Sequence, residues 1–231
     1  HNLQVYAGMI ASLDRSVGKI IEKLKDLNIY GKTMIIFTSD NGGANYIELE
    51  DINKPFRGWK ISFFEGGIRV PFIVSWPDKI SPGLTSNSAV HHFDIFPTIV
   101  SATKTTTSNK KELDGVNLLP YIKKENSDEP HETLFWRSGN HQSVLHKKWK
   151  YIVSKKENKS WLFDTSVDPL EKNNLIESHP KEAQKIEELL VQFNSEQKEP
   201  LFPSAFEAPI MIDKYDGQAY EEGDEYIYWS N

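Results

Sequence analysis

Cysteine is absent from the 231 residues, and its absence excludes several kinds of chemistry. Without cysteine the chain has neither a disulfide framework nor a thiolate metal site. A cysteine nucleophile is excluded for the same reason. Apolar runs are also short, and none approaches the roughly 20 residues that a membrane-spanning helix needs. We therefore expect no membrane span in this sequence.

Positive charge is scarcer than negative charge, because 27 Lys and Arg residues face 33 Asp and Glu residues and give a formal net charge of -6. Nucleic acids and anionic membranes are bound through clustered positive charge, so the composition predicts no nucleic-acid partner. An anionic small molecule remains compatible with a locally positive pocket. The 6 Trp, 12 Phe and 9 Tyr residues are enough to build a packed core. The chain starts with His1 rather than Met, which indicates a processed or truncated end, so the lack of a signal peptide carries no information.

The first half of the chain predicts a helix followed by a strand. Leu3–Leu27 has apolar residues at i, i+3, i+4 and i+7, the spacing of an amphipathic helix. Met34–Phe37 is a continuous apolar run, which is typical of a strand buried on both faces of a parallel sheet. A helix, a short loop and a buried strand form half of an α/β repeat.

A polar turn follows this strand and supplies candidate metal ligands. Ligands of open α/β sheets bind outside the carboxyl ends of the strands, where Asp40 and Asn41 stand. A carboxylate and an amide oxygen side by side suit Ca²⁺ or Mg²⁺. Gly42 and Gly43 allow the tight turn that brings both side chains to one point. The residues alone leave a simpler alternative open, in which the four residues are only a turn.

The rest of the chain divides into segments of different texture. Pro71–Trp76 predicts a second buried strand, Asp94–Val100 a helix and Ser101–Lys111 an exposed loop. From about Pro130, short aromatic runs with polar spacers predict an antiparallel sheet, followed by an amphipathic helix over 180–193. The runs are Thr133–Arg137, Ser143–Leu145, Trp149–Val153 and Ser160–Asp164. We therefore predict three segments, namely an α/β part over 1–129, a sheet-plus-helix subdomain over 130–200, and an extended acidic and aromatic tail over 201–231.

Several motifs in one order resemble the formylglycine-dependent (type I) sulfatases of the alkaline-phosphatase-like superfamily. They are Leu13–Gly18, Phe37–Gly43, Arg57–Lys60, Glu65–Pro71, Asp94–Thr98, Asp114–Val116, Trp149–Tyr151, Leu162–Asp164, Asp168–Glu171 and Asn174–Leu175. The match spans about residues 3–200. The resemblance implies an α/β fold, part of an alkaline-phosphatase-like sandwich with a C-terminal α+β subdomain made of a small antiparallel sheet plus a helix.

The sequence also departs from that family. The family makes its formylglycine from a Cys or Ser in a Cys/Ser-x-Pro/Ala-x-Arg motif, and the chain has no such motif. The family's N-terminal pair of aspartate metal ligands, and the stretch with its usual catalytic His and Lys, are missing too. The resemblance therefore implies the C-terminal part of a sulfatase, with the formylglycine in a missing N-terminal part. The chain alone, which lacks the nucleophile, is predicted to be inactive.

The resemblance assigns roles to particular residues. Asp40 and Asn41 match the family's ligands for Ca²⁺, with Mg²⁺ possible, and Lys60 matches the catalytic lysine that contacts the sulfate. Candidate substrate contacts are Arg57, Trp59, His91 and His92. Structural alternatives stay open: an ion pair for Arg57, and capping or core packing for the two histidines. The residues predict that Glu65 and Arg69 brace their loop. Four further histidines have no spacing typical of a metal site, and we interpret them as surface or loop residues. They are His131, His141, His146 and His179.

The implied function is hydrolysis of sulfate esters on a sulfated carbohydrate or polysaccharide. The implied partners are that carbohydrate and the N-terminal part of the same enzyme, and the implied location is periplasmic or secreted. Two alternatives remain at this stage. One is a phosphodiesterase or phosphonate hydrolase of the same superfamily, and the other is a non-catalytic carbohydrate-binding module.

Overall fold

A computed structural model of the chain describes residues 1–106, 111–199, 201–202 and 204–230. These residues contain five α-helices: α1 (Asn2–Asp26), α2 (Glu65–Ile68), α3 (Ile95–Thr103), α4 (Leu119–Ile122) and α5 (Pro180–Glu196). They contain eight strands: β1 (Ile35–Thr38), β2 (Phe72–Ser75), β3 (Thr133–Ser138), β4 (His141–His146), β5 (Trp149–Ser154), β6 (Lys159–Asp164), β7 (Glu207–Met211) and β8 (Tyr226–Ser230). No helix in these stretches is both long and apolar enough to cross a membrane. Part of the predicted loop Ser101–Lys111 lies outside the described residues.

The chain forms two compact units. The first contains residues 1–12, 38–72 and 133–231, and the second contains residues 13–37 and 73–132. Residues 38–72 therefore group with the C-terminal sheet, whereas the predicted boundary near residue 130 separates them from it. The three-segment division of the chain remains a prediction.

The first unit is built on a four-stranded antiparallel sheet in the order β3-β4-β5-β6. Each strand pairs with its sequence neighbour over six residues, from Thr133 opposite His146 to Ser154 opposite Lys159. Alternating aromatic and polar residues favour this arrangement, because successive side chains of a strand point to opposite faces. The predicted antiparallel sheet followed by a helix is confirmed.

Both faces of this sheet are covered by apolar side chains. On one face Ile152, Trp161 and Phe163 pack with Phe64, Ile212 and Ile227 in a buried cluster. On the other face, Val144, Tyr151 and Leu162 pack against Ala183, Ile186 and Leu190 of α5. The period of two along β5 and β6 explains the division, since residues 151 and 162 face the helix while their neighbours face the other cluster.

Residues 201–231 were predicted to form an extended tail, and most of the described part folds into a hairpin instead. Strands β7 and β8 pair antiparallel, with Ile210 opposite Ile227. Ile227 and the nearby Ile212 are almost fully buried in the core of the first unit. The alternation of Ile227 with Tyr226 and Tyr228 is a strand pattern. Its partner β7 is not evident from the sequence, because a long acidic loop lies between the two strands.

The predicted helix at the start of the chain is confirmed as α1, but its apolar side chains lie at the surface. No residue of α1 is buried, and Leu3, Met9 and Ile20 are exposed. The prediction of a first strand buried on both faces is wrong for the described residues. Phe37 of β1 and Ile73 of β2 are exposed, because these two strands pair only with each other in the part of the chain that the structure describes.

Asp94 is the centre of a polar network in the second unit. Its fully buried carboxylate accepts hydrogen bonds from the backbone N–H of His91 at 2.7 Å and of Val116 at 2.9 Å. The Nε2 atom of His131 lies 2.8 Å and 2.9 Å from its two oxygens. His131 lies in the loop before β3, as its interpretation as a surface or loop residue allows, but its side chain is only 8% exposed because it serves this buried carboxylate.

Lys150 is a fully buried lysine in the core of the first unit. Its ammonium lies 2.6 Å from a carboxylate oxygen of Glu65 and 2.8 Å from one of Glu171. Burial lowers the pKa of Lys150, but the two carboxylates outweigh it and hold that pKa above its ordinary value. Burial raises the pKa of Glu65, but Lys150 and Arg69 together lower it more, so that the net direction of the pKa is downward. The three side chains thus form one charged network inside the protein.

Replacing Lys150 with Met is expected to destabilise the protein by about 3–5 kcal/mol, because two buried carboxylates lose their counter-charge. The matched control is Lys54→Met, since Lys54 forms ion pairs with Glu50 and Asp51 in which all three side chains are exposed. An exposed pair contributes at most about 1 kcal/mol. Urea unfolding followed by tryptophan fluorescence measures both, and equal losses in the two variants would contradict the buried network.

Candidate active site

The turn after β1 presents two side chains with free oxygen atoms. Asp40 is exposed, and its Oδ1 accepts a hydrogen bond from the N–H of Asn41 at 3.0 Å. The amide nitrogen of Asn41 donates to the carbonyl oxygen of Gly42 at 2.9 Å, which turns the side-chain oxygen away from that contact. Within the described ranges, neither Asp40 Oδ2 nor Asn41 Oδ1 has a protein partner.

These oxygens fit a hard divalent cation, which prefers carboxylate and amide ligands. Two side chains supply only part of the six to eight oxygens that Ca²⁺ takes, or of the octahedron that Mg²⁺ takes. Among the residues that the structure describes, no group of three or more His, Cys, Asp or Glu side chains is arranged to hold a metal ion. Asp40 and Asn41 therefore fit as a partial ligand set.

Two glycine pairs bring this turn against the loop that precedes β2. The N–H of Gly42 donates to the carbonyl oxygen of Gly67 at 2.9 Å. A Cβ atom at Gly42 would lie 1.7 Å from the carbonyl oxygen of Gly66, and one at Gly66 would lie 2.4 Å from that of Gly58. No side chain fits at these separations, so glycine is required at both positions.

Lys60 is attached to the same turn through its backbone. Its N–H donates to the carbonyl oxygen of Gly43 at 2.9 Å, and the residue is half-buried. All of residues 38–72 are described, and their other cations each have a carboxylate partner: Lys54 with Glu50 and Asp51, Arg57 with Asp213 and Glu225, and Arg69 with Glu65. Lys60 is the one cation in that range with no such partner, which leaves its ammonium available to an anion.

The structure places Arg57 and Trp59 in structural contacts. The Arg57 guanidinium donates to both carboxylate oxygens of Asp213 at 2.7 Å and also to Glu225. Burial lowers the pKa of Arg57, but these partners raise it well above its usual range. Trp59 is 5% exposed, so its ring is not accessible for stacking on a sugar in this structure. Substrate contact by either residue remains a prediction without structural support. For Arg57, the geometry is that of the alternative interpretation, in which the guanidinium forms structural ion pairs.

His91 and His92 lie in the second unit, at a short 3₁₀ turn over His92–Asp94. The ring of His91 accepts the N–H of Phe93 at 3.4 Å and stacks on the Phe93 ring, which is a capping arrangement. Burial lowers the pKa of His91, and the neighbouring His92 lowers it further. His92 is exposed. The structure therefore assigns His91 a local structural role, and substrate contact by the two histidines remains a prediction.

The loop around Glu65 is anchored by residues that the sequence analysis did not select. Glu171 accepts the backbone N–H of Glu65 at 2.6 Å, in addition to its ion pair with Lys150. The prediction that Glu65 and Arg69 brace this loop agrees with their 3.3 Å ion pair. Lys150 lies in the motif Trp149–Tyr151, and a lysine inside an otherwise aromatic and apolar strand is the sequence signal for its structural role.

His141 also holds this loop, and the interpretation of it as a surface or loop residue is wrong. Its ring is buried, stacks on Phe63 at 4.7 Å between centroids, and accepts the N–H of Phe63 at 3.0 Å. Burial, with a smaller contribution from the Lys150 ammonium, lowers the pKa of His141 to about 3. The ring is therefore neutral in the folded protein near neutral pH.

Two protein families match the chain. The family described as "Sulfatase" matches residues 1–105. The family described as "N-sulphoglucosamine sulphohydrolase, C-terminal" matches residues 58–199, more than half of the chain.

The chain is also similar to individual proteins and to solved structures. The chain is 37% identical to N-acetylgalactosamine-6-sulfatase of Homo sapiens over 119 residues, which are 51% of this chain and 23% of that protein. It is 28% identical to the solved structure of Ps i-CgsB in complex with k-i-k-neocarrahexaose, with a TM-score of 0.75 over 85% of this chain and 44% of that chain. A phosphonate monoester hydrolase of Agrobacterium radiobacter has a TM-score of 0.63 at 22% identity over 83% and 40%, which shows the fold alone.

These similarities confirm the predicted fold class. The chain spans well under half of the length of the curated relatives that it matches. It therefore corresponds to the C-terminal portion of a larger protein of this fold.

Replacing Gly42 with Ala is expected to disrupt the candidate site, because the added Cβ would meet the Gly66 carbonyl oxygen. Overpacking of this kind costs about 1–3 kcal/mol. The matched control is Gly8→Ala in α1, where nothing lies within 4 Å of an added Cβ. That substitution should be neutral or stabilising by up to about 1 kcal/mol, because alanine is the better helix former. Urea unfolding of both variants tests the prediction, and a neutral Gly42→Ala would contradict the close approach.

His141 predicts a specific dependence of stability on pH. Its pKa is about 3 when folded and about 6.5 when unfolded, so between these values the unfolded chain binds a proton that the folded protein does not. Stability therefore falls as pH falls through this window, by about 1.4 kcal/mol per unit.

We expect His141→Gln to lose about 2 kcal/mol less than the original protein between pH 6.5 and pH 4.5, because only the histidine takes up this proton. Urea unfolding at both pH values measures the difference, and carboxylate contributions cancel in the comparison. His179→Gln, at an exposed position, controls for removal of a histidine. Equal pH dependence in the original protein and in His141→Gln would show that the ring is not buried in its neutral form.

Proposed function

This chain belongs to the sulfatase family, and on that premise we propose that it is the C-terminal part of an enzyme that hydrolyses sulfate esters. The observation that carries the proposal is the position of Lys60. Its ammonium is the unpaired cation of residues 38–72, and its backbone is hydrogen-bonded to the turn that carries Asp40 and Asn41. A cation without a counter-charge, on a residue whose backbone is bonded to the turn of a partial metal-ligand set, suits a singly or doubly charged oxyanion.

The proposed chemistry divides the work among these residues. Asp40 and Asn41 would hold part of a Ca²⁺ site, with Mg²⁺ as the alternative ion, and a divalent cation there would supply Lewis-acid polarisation of a sulfate oxygen. Lys60 contacts an oxygen of the sulfate group or of the leaving alcohol and stabilises the negative charge that develops as the S–O bond breaks. The nucleophile, a formylglycine, and the remaining metal ligands belong to an N-terminal part of the same enzyme.

We infer that the substrate is a sulfated carbohydrate and that the enzyme acts in the periplasm or outside the cell. Support for the carbohydrate comes from the similar proteins, one of which is named for N-acetylgalactosamine and one of which was solved with a neocarrahexaose. The net charge of -6 requires that recognition be local, through the cation of the site.

The second candidate is a phosphonate or phosphodiester hydrolase, the alternative within the same superfamily that the sequence leaves open. Both chemistries place a cation and a metal on the oxygens of a tetrahedral anion. Rates with paired aryl sulfate and aryl phosphonate substrates in the intact enzyme separate the two. Turnover of the sulfate at least tenfold faster supports the proposal, and the opposite preference supports the second candidate.

The isolated 231-residue chain is expected to hydrolyse no aryl sulfate, because the proposed nucleophile lies outside it. Addition of the N-terminal part of the enzyme is expected to restore hydrolysis. The same experiment with Lys60→Met should reduce the restored kcat by at least tenfold, whereas Lys54→Met, which removes an exposed and paired lysine, should leave it unchanged. Hydrolysis by the isolated chain, or full activity of Lys60→Met, would contradict the proposed roles.

A further inference from the structure

Asn53 makes three hydrogen bonds that join the two halves of the candidate site. Its Oδ1 accepts the N–H of Gly43 at 2.7 Å. Its Nδ2 donates to the carbonyl oxygen of Gly43 at 2.9 Å and to that of Gly58 at 3.0 Å. The side chain therefore contacts both the turn that follows Asp40 and Asn41 and the loop that leads to Lys60.

The backbone around Asn53 closes the same connection. The carbonyl oxygen of Gly43 accepts the N–H of Lys60 as well as the amide of Asn53. A Cβ at Gly43 would lie 2.6 Å from Ile52, so the loop before Asn53 packs directly on the turn. A single backbone hydrogen bond thus joins Lys60 to the turn that carries Asp40 and Asn41. The side chain of Asn53 binds to both of the segments that this bond connects.

We propose that Asn53 is a positioning residue that sets the distance between the Asp40–Asn41 oxygen pair and the Lys60 ammonium. This inference rests on the proposed function, because it concerns the alignment of that site. Asparagine suits the role because its amide both accepts and donates, whereas Asp lacks the donor and Leu lacks both. Loss of the amide leaves the N–H of Gly43 and the carbonyl of buried Gly58 without their hydrogen-bond partner.

The chain contains a matched control at Asn174. That side chain also makes three backbone hydrogen bonds: it accepts from Leu162 at 3.0 Å and Ile176 at 3.1 Å, and it donates to Ser160 at 3.2 Å. These bonds hold the edge strand β6 to residues 174–176 and do not involve the turn or loop of the site. Comparing substitutions of Asn53 and Asn174 therefore distinguishes an effect on the alignment of the site from a general effect of lost hydrogen bonds.

The experiment compares Asn53→Leu and Asn53→Ser with Asn174→Leu and Asn174→Ser in the intact enzyme. The readouts are kcat and KM on an aryl sulfate, the Ca²⁺ concentration for half-saturation by calorimetry, and the thermal midpoint. We expect Asn53→Leu to lower kcat/KM at least tenfold and to weaken Ca²⁺ binding at least threefold, with Asn53→Ser between it and the original enzyme. The Asn174 variants should lose thermal stability with kcat/KM and Ca²⁺ binding unchanged within twofold.

The outcomes separate the inference from the proposed function. If the original enzyme turns over no sulfate ester, the proposed function fails, and the Ca²⁺ titrations of the same variants still decide the role of Asn53. If Asn53→Leu does not fold, Asn53→Ser decides, since its hydroxyl retains one bonding group. Equal kcat/KM and equal Ca²⁺ binding in the Asn53 and Asn174 variants would overturn the inference, as would absence of Ca²⁺ binding in the original enzyme.

Discussion

The close approach of two backbone segments is the constraint on which the site depends. Gly42 donates to Gly67 at 2.9 Å, and the Gly66 carbonyl oxygen occupies the space that a side chain at residue 42 would need. Because this contact is made by backbone atoms, it fixes the turn more firmly than long side chains would. The oxygens of Asp40 and Asn41 and the backbone of Lys60 take their positions from it. The geometry of the candidate site is therefore set by main-chain packing, and the side chains of the proposed function are attached to that main chain.

Buried ion pairs connect the C-terminal sheet to the loop that makes this backbone contact. Lys150 reaches from β5 to Glu65, whose backbone nitrogen is held in turn by Glu171. Such a network is costly to desolvate, and replacement by apolar residues of similar size is often neutral or stabilising. Here the network orients a loop, because its charged hydrogen bonds hold Glu65 in one orientation. Glu65 directly precedes Gly66 and Gly67, which contact the turn of the site. The sheet and the loop of the site consequently belong to one unit.

Sequence patterns predicted the elements that are governed by local periodicity and the residues that lie in recognisable motifs. The helix α1, the antiparallel strands and the helix α5 follow from alternating or 3.6-residue spacing, and the ordered motifs identified the family. Burial was predicted poorly, because it depends on partners that are distant in the chain. Phe37 was predicted to lie in a buried strand yet is exposed, while His141 was interpreted as a surface or loop residue yet is buried. The hydrogen bonds of Asn53 were missed because an asparagine in a polar loop has no distinguishing pattern.

The central claim is that one cation and one ammonium act on the same anion at this turn. A crystal structure of the intact enzyme with Ca²⁺ and a sulfate ion tests it most directly. The account predicts that side-chain oxygens of Asp40 and Asn41 lie about 2.3–2.6 Å from a single cation. It also predicts that the Lys60 ammonium lies within hydrogen-bond distance of an oxygen of the sulfate bound to that cation. A cation held without Asp40 and Asn41, or a Lys60 side chain directed away from the sulfate, would contradict it.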